Sequence, residues 1–467
     1  MSFDGHDASL RPPSYRTTNV KLVTMTLLII IVFSTFFLSS SAIMTPAYAQ
    51  AIYGLKTIKS RDLVIDLGNG LTTNAQLTLP LLGKGPFPGV LLVHGSGVAD
   101  KDYYVNSNVA PFLQMSQYLS ERGFAVLRYD KRGVGPNFTV SDANVWGNLT
   151  VSDLKNDAEK ALAVLINQPE VDPKQITIIG HSEGTTIVPR VAIENPSKVK
   201  NIVLMGAAAN NTRDLVYFRE VTVPLLYAQK VLDHNHNGFI SVSEAIKDPV
   251  FNFLSRNFTL LLNTATNDTK QQRSNINKDT YMSINNELKQ KLITQAQALT
   301  TIIPGKKCTE TGGCPIWLNS QYALQPNVNI IGNVPPSTSI LIQQGGNDTA
   351  TPLQQAFLLQ QALIDKKHPD HTLITYPNLG HGFHLNTEWM PILGGIQPYV
   401  LADLYSWLAA HSGFASTRTT ITSSTGTTTP SSSSSSLSNS NTTNTSQSQI
   451  TMLNNKGMSL YNSGRIN

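Results

Sequence analysis

Cysteine is almost missing from this sequence. Its 467 residues hold two, Cys308 and Cys314, with five residues between them in C-T-E-T-G-G-C. A thiolate metal site would need further ligands, and no His lies nearby, so a small disulfide loop is the expectation in an oxidising compartment. Charge is also scarce. Asp, Glu, Lys and Arg make up 14% of the chain, and the formal net charge of +5 is scattered, with no dense run or stripe. That leaves no electrostatic footprint for a nucleic acid partner. Apolar residues, at 40%, suffice for one large core plus extensions, and the length allows two or three domains. Asn, Ser and Thr are plentiful, which suits a protein outside the cytosol.

The amino terminus points the same way. Arg11, Arg16 and Lys21 precede an uncharged run from Leu22 to Ile43. At 1.5 Å per residue a helix of that length spans a bilayer. Positive charge before it and none soon after predicts the amino end inside and the rest outside. Ala47-Tyr48-Ala49 offers the small residues that signal peptidase accepts. Residues 1–50 thus hold a signal peptide, cut after Ala49 to leave Gln50 as the first mature residue, or an uncleaved membrane anchor. Both readings are extracytoplasmic. A buried core helix fits less well, because the run is apolar on every face.

From about residue 60 the chain alternates strands and helices. Asp62–Leu67 and Thr73–Leu79 read as a hairpin around Gly68-Asn69-Gly70. Short apolar runs follow at Gly89–His94, Ala125–Tyr129, Ile176–Ile179, Ile202–Met205, Ser339–Gln343 and Thr372–Tyr376. Such runs are buried on both faces, as in a parallel sheet. Helical spacing appears at Val151–Asn167, Glu183–Glu194, Pro352–Lys366 and Gln397–Ala410. The fold class expected is α/β: a doubly wound, mostly parallel sheet. The interval between Met205 and Ser339 is too long for one αβ connection. It predicts a mainly helical inserted cap at 210–336, dividing a core of 51–209 and 337–413. Its helical segments are read at Val221–Leu232, Ser243–Leu262 and Tyr281–Leu299. Residues 414–467 are Ser/Thr-rich and cannot bury a core. Their end resembles the opening helix of a tetratricopeptide repeat, but one partial repeat cannot stack.

The chemistry concentrates in I-T-I-I-G-H-S-E-G at Ile176–Gly184. An apolar strand runs into Gly180-x-Ser182-x-Gly184 and then a helix, which is a nucleophile elbow. A serine hydroxyl is a weak nucleophile and needs a base. In this arrangement the order is Ser, acid, His. Asp348 follows the Ser339–Gln343 strand and His381 follows the Thr372–Tyr376 strand, at the carboxyl ends where ligands bind. The catalytic residues expected are therefore Ser182, Asp348 and His381. His384 is the rival base, and Asp365 and Asp370 are rival acids at less suitable positions. Two main-chain N–H groups must receive the oxyanion. Glu183, after the nucleophile, supplies one, and Ser96 in His94-Gly95-Ser96-Gly97 the other.

Together with Asp100-Lys101-Asp102 and L-R-Y-D-K-R-G-V-G at Leu127–Gly135, these motifs resemble one α/β-hydrolase family of esterases and of serine-aminopeptidase-like and dienelactone-hydrolase-like proteins. The resemblance covers about residues 60–210 and 337–411. It implies hydrolysis of carboxylic esters or, in some members, peptides. It also implies that Asp130-Lys131-Arg132-Gly133 braces the site, with Asp130 and Arg132 free to pair. Many relatives have Pro where Val98 stands, which bears on substrate preference.

One motif is foreign to that resemblance. Asp233 to Glu244 reads D-H-N-H-N-G-F-I-S-V-S-E and matches the twelve-residue EF-hand loop. Asp233, Asn235, Asn237, the Phe239 carbonyl, Ser241 and Glu244 are the expected metal ligands, with Gly238 at the sharp turn. Two anionic ligands predict weak Ca2+ binding, toward the ~10⁻⁴–10⁻³ M of extracellular modules. No second loop is evident, so the ion is expected to staple the cap. No organic cofactor is implied. The sequence therefore reads as an extracytoplasmic serine hydrolase acting on a small-molecule ester. A serine aminopeptidase on short peptides is the second reading, with Glu183, Glu220 or Glu287 holding the substrate ammonium. A calcium-binding surface protein on a hydrolase scaffold is the third.

Overall fold

The computed structural model describes residues 57–105, 108–263, 280–301, 315–385, 389 and 394–413. The Leu22–Ile43 run, Cys308, Cys314 and the Ser/Thr-rich tail lie outside these. Among the described residues, no helix is long and apolar enough to cross a membrane.

Eight strands form the central sheet: β1 (Ile58–Gly68), β2 (Leu71–Pro80), β3 (Phe87–Val93), β4 (Ala125–Tyr129), β5 (Val171–His181), β6 (Asn201–Met205), β7 (Ser339–Gly345) and β8 (His371–Tyr376). Their spatial order is β1-β2-β4-β3-β5-β6-β7-β8. The β1–β2 hairpin turns through Gly68, Asn69 and Gly70, all at positive φ, and β2 pairs antiparallel to β4. Every pair from β4 to β8 is parallel. Five helices flank the sheet: α1 (Pro111–Ser120), α2 (Val151–Ile166), α3 (Gly184–Glu194), α4 (Leu353–Asp365) and α5 (Pro398–His411). The run containing α1 carries no signal distinctive enough for the sequence to place it.

Strand alternation sorts the core into two layers. Leu91, Val93, Ile178, Ile202, Leu204, Ile340 and Ile342 face one way, against α2, α3 and α4. Val90, Leu92, Ile179, Val203, Met205 and Leu341 face the other, against α1 and α5. Both faces are covered in the middle of the sheet, so stretches such as Val90–Val93, Ile176–Ile179 and Ile202–Met205 are almost wholly apolar.

The stretch between β6 and β7 has a hydrophobic cluster of its own, built on Val221, Phe251, Phe258, Ile284, Leu288 and Leu292. Its helices are shorter than the periodicity suggests. The Ser243–Leu262 stretch is three pieces, Val242–Lys247, Pro249–Leu254 and Phe258–Asn263. Pro249 holds Asp248 in extended backbone at the first break. Arg256 and Asn257, at φ +53° and +76°, make the second. The Tyr281–Leu299 stretch opens as a strand, Tyr281–Ser283, paired antiparallel with Phe239–Ser241. The loop at 233–244 thus has a strand partner that the sequence reading missed, because three residues are too few to show a period.

Candidate active site

Gly180 and Gly184 build the elbow at the end of β5. A Cβ on Gly184 would fall 2.4 Å from the Val93 carbonyl oxygen, and one on Gly180 would fall 2.4 Å from that of Gly184. Both obstacles are backbone, so strand and helix can cross this closely only with glycine at both places. Ser182 sits between them at φ +54°, in the left-handed region that a non-glycine residue adopts only under constraint. Its N–H donates to the Met205 carbonyl at 3.0 Å, tying the turn to β6.

Asp348 lies just beyond β7 and is buried. Its Oδ1 accepts the N–H groups of Ala350 and Thr351, and its Oδ2 accepts Gln344 Nε2 and the Thr351 hydroxyl. Oδ2 also lies 2.8 Å from His381 Nδ1. Burial alone would raise the Asp348 pKa. The charge and hydrogen bond of His381, with the two Thr351 donors, more than offset that and hold the carboxyl below its ordinary range. A carboxylate can only accept, so His381 carries its proton on Nδ1 and keeps the Nε2 lone pair free.

His381 lies close to the elbow. Its ring centroid is 4.8 Å from that of His181, the residue before Ser182. A Cβ on Gly206 would touch the His381 ring at 3.1 Å, so a glycine directly after β6 leaves the ring its space. The His381 carbonyl accepts His181 Nε2–H at 3.0 Å, which leaves His181 Nδ1 to accept the Tyr103 hydroxyl at 3.3 Å. Burial, then the nearby His381, pushes His181 down to about 4, so this link is neutral at physiological pH. Tyr103 and Gly206 have no sequence signature. The rival base His384 is half-buried, and burial lowers its pKa. Its Nε2 finds no partner among the described residues. Asp365 and Asp370 serve elsewhere: Asp365 accepts Gln361 and Asp370 accepts Ser339.

Gly95 lies against Ser182, since a Cβ there would be 3.0 Å from Ser182 Cβ. Ser96 follows, exposed at the mouth of the loop. His94 is buried under the loop, stacked on Phe112, and burial pushes it down to about 3. The brace below differs from the pairing that the resemblance implies. Arg132 pairs with Asp153 and Asp157 on α2, not with Asp130. Asp130 instead accepts the Lys101 N–H and Asn74. Glu183 is committed as well. Its carboxylate meets Lys131 at 2.9 Å, and Trp317 and Gln321 of the Pro315–Ala323 helix also donate to it.

At the 233–244 loop, Asp233 is buried and accepts the N–H groups of Asn237 and Gly238. Asn237 Oδ1 accepts the Phe239 N–H, and Gly238 turns the chain at φ +84°. Ile240 is fully buried opposite Met282, and Ser241 caps the Val242–Lys247 helix through the Glu244 N–H. The Glu244 carboxylate is exposed, 3.9 Å from His234. The set is all oxygen, the chemistry a hard cation such as Ca2+ takes, and it sits on a folded loop.

The family described as the alpha/beta hydrolase fold matches residues 88–387. Over 162 residues the chain is 31% identical to esterase EstD of Thermotoga maritima, covering 34% of this chain and 35% of that one. It is 27% identical to esterase FrsA of Yersinia enterocolitica over 161 residues, 34% of each chain. It thus spans about a third of the length of these curated relatives. Est1E from Butyrivibrio proteoclasticus superimposes with a TM-score of 0.40 at 14% identity, over 75% of this chain and 98% of that one. With its mostly parallel eight-stranded sheet and a family match over most of its length, the chain belongs to the α/β-hydrolase fold family.

Proposed function

We propose that this chain hydrolyses carboxylic esters through an acyl-enzyme on Ser182. The observation that carries the reading is the His381–Asp348 pair beside a strained serine elbow. His381 Nε2 takes the Ser182 Oγ proton as the oxygen attacks the substrate carbonyl. The Ser96 and Glu183 N–H groups hold the resulting oxyanion. His381 then protonates the leaving alkoxide, and a water activated by the same nitrogen releases the acid.

Two arguments favour esters over peptides with a free amino end. The two buried carboxylates that would hold an ammonium are engaged, Glu183 by Lys131 and Glu220 by Arg219 and Arg256, which leaves only the exposed Glu287 of the three. The curated relatives named above are called esterases. We place the enzyme outside the cytosol on the basis of residues 1–50, secreted or anchored. Fluorophosphonate treatment of the full chain, with peptide mapping and stopped-flow hydrolysis of a short nitrophenyl ester, tests the chemistry. The expected result is one adduct, on Ser182, and a burst of one nitrophenol per chain. A folded protein with neither would favour the surface-binding reading.

The insertion, on this proposal, covers the site and is stapled by Ca2+ at Asp233, Asn235, Asn237, Phe239, Ser241 and Glu244. The ion would stiffen the insertion and take no part in the chemistry. With a dissociation constant of ~10⁻⁴–10⁻³ M, about 10 mM calcium would add about 1.4–2.7 kcal/mol to stability. We expect the melting temperature in calcium to exceed that in chelator by several degrees, and the difference to vanish in Glu244→Gln. Identical melting curves for the wild type in both buffers would remove the calcium proposal.

A further inference from the structure

Lys131 lies in the loop after β4 and is 3% exposed. Burying an ammonium is costly unless each proton finds an acceptor. Here each does: the carbonyl of Gly95 at 2.7 Å, that of Gly97 at 3.2 Å and Glu183 Oε2 at 2.9 Å. The other carboxylate oxygen of Glu183 accepts Trp317 Nε1 and Gln321 Nε2, both from the inserted chain. One buried cation thus joins the loop after β3, the residue after the nucleophile and a helix of the insertion.

The geometry of a peptide unit gives this arrangement a consequence. Among the described residues the one cis bond is Gly85–Pro86, so the Gly95–Ser96 peptide is trans. In a trans peptide the C=O and the next N–H point in opposite directions. A Gly95 carbonyl held on Lys131 therefore fixes the Ser96 N–H pointing away from Lys131. Gly97, at φ +92°, has the same constraint on its own carbonyl. Without it, a Gly-Ser-Gly loop has little to stop these peptide planes rotating.

We propose that Lys131 is a positioning residue that sets the oxyanion-binding peptide, and that Glu183, held by Trp317 and Gln321, keeps Lys131 in place. The inserted chain then completes the site as well as covering it. This rests on the acyl-enzyme reading above. In Lys131→Met the apolar stem remains and the three donors go. The expected result is a kcat loss of about 10²–10³-fold, the scale for losing one oxyanion donor, with KM within about threefold. An alkyl boronic acid, whose adduct places an oxygen in the oxyanion position, should bind more weakly by the same factor as kcat/KM. A purely structural role would not produce that match. Glu183→Gln and Trp317→Phe should shift both quantities together, by about tenfold or less.

Removing one member of a buried ion pair can unfold a protein, whereas replacing both with apolar residues is often tolerated. The double variant Lys131→Met with Glu183→Leu is therefore the second test. A folded Lys131→Met or double variant with kcat within threefold of wild type overturns the proposal. So does a loss of kcat with boronate affinity unchanged. If wild type labels with fluorophosphonate and these variants turn over normally, this proposal fails alone. If wild type forms no adduct, the hydrolase reading falls and takes it along.

Discussion

If Ser182 is the nucleophile as proposed, replacing it with alanine is expected to lower kcat for a nitrophenyl ester by about 10⁶-fold, the scale for removing the nucleophile of a serine hydrolase. The loss should appear with the fold intact. Among the described residues the Ser182 hydroxyl takes part in no hydrogen bond. Alanine keeps the Cβ, so the left-handed backbone at φ +54° is no more strained than before. Stability should then stay within about 0.5 kcal/mol of wild type. The check is single-turnover kinetics beside a thermal melt. A variant keeping a tenth of wild-type turnover would show that another residue is the nucleophile.

Asp348→Asn should reduce kcat about 10⁴-fold, for a reason visible in its contacts. Oδ1 receives two main-chain N–H groups, and Oδ2 receives His381, Gln344 and the Thr351 hydroxyl. An asparagine keeps its one oxygen on the two N–H groups, because its NH2 there would meet two fixed donors, against one, Gln344 Nε2, at the other position. The NH2 then faces His381 Nδ1, which must accept. The imidazole proton moves to Nε2, the atom that has to take the Ser182 proton. The enzyme would be folded with its base in the wrong tautomer. A pH–rate profile of both proteins on the same ester measures this, and a loss under tenfold would remove Asp348 from its assigned role.

Much of the fold is legible before any coordinates. Strands buried on both faces are mostly apolar, and the runs at Ala125–Tyr129, Arg128 apart, and Ile202–Met205 carry that signal almost to the residue. The elbow is legible because its glycines are demanded by backbone crossings of one geometry. Asp348 and His381 could be named from their places after strands.

Other features depend on distance in space. Lys131, Glu183 and Trp317 lie 52 and 134 residues apart along the chain and meet only when the loops and the insertion fold together. Arg132 takes partners on α2, which reverses the pairing expected within its own loop. The strand at Tyr281–Ser283 is defined by its partner, not by its three residues.

The sequence by itself determined the sheet, its two covered faces and the order in which Ser182, Asp348 and His381 follow their strands. These follow from local periodicity and from backbone geometry that only particular residues allow. Tertiary structure alone decided which buried charges pair and which carbonyls Lys131 holds. Charge pairing is set by proximity after folding, and no spacing along the chain encodes it.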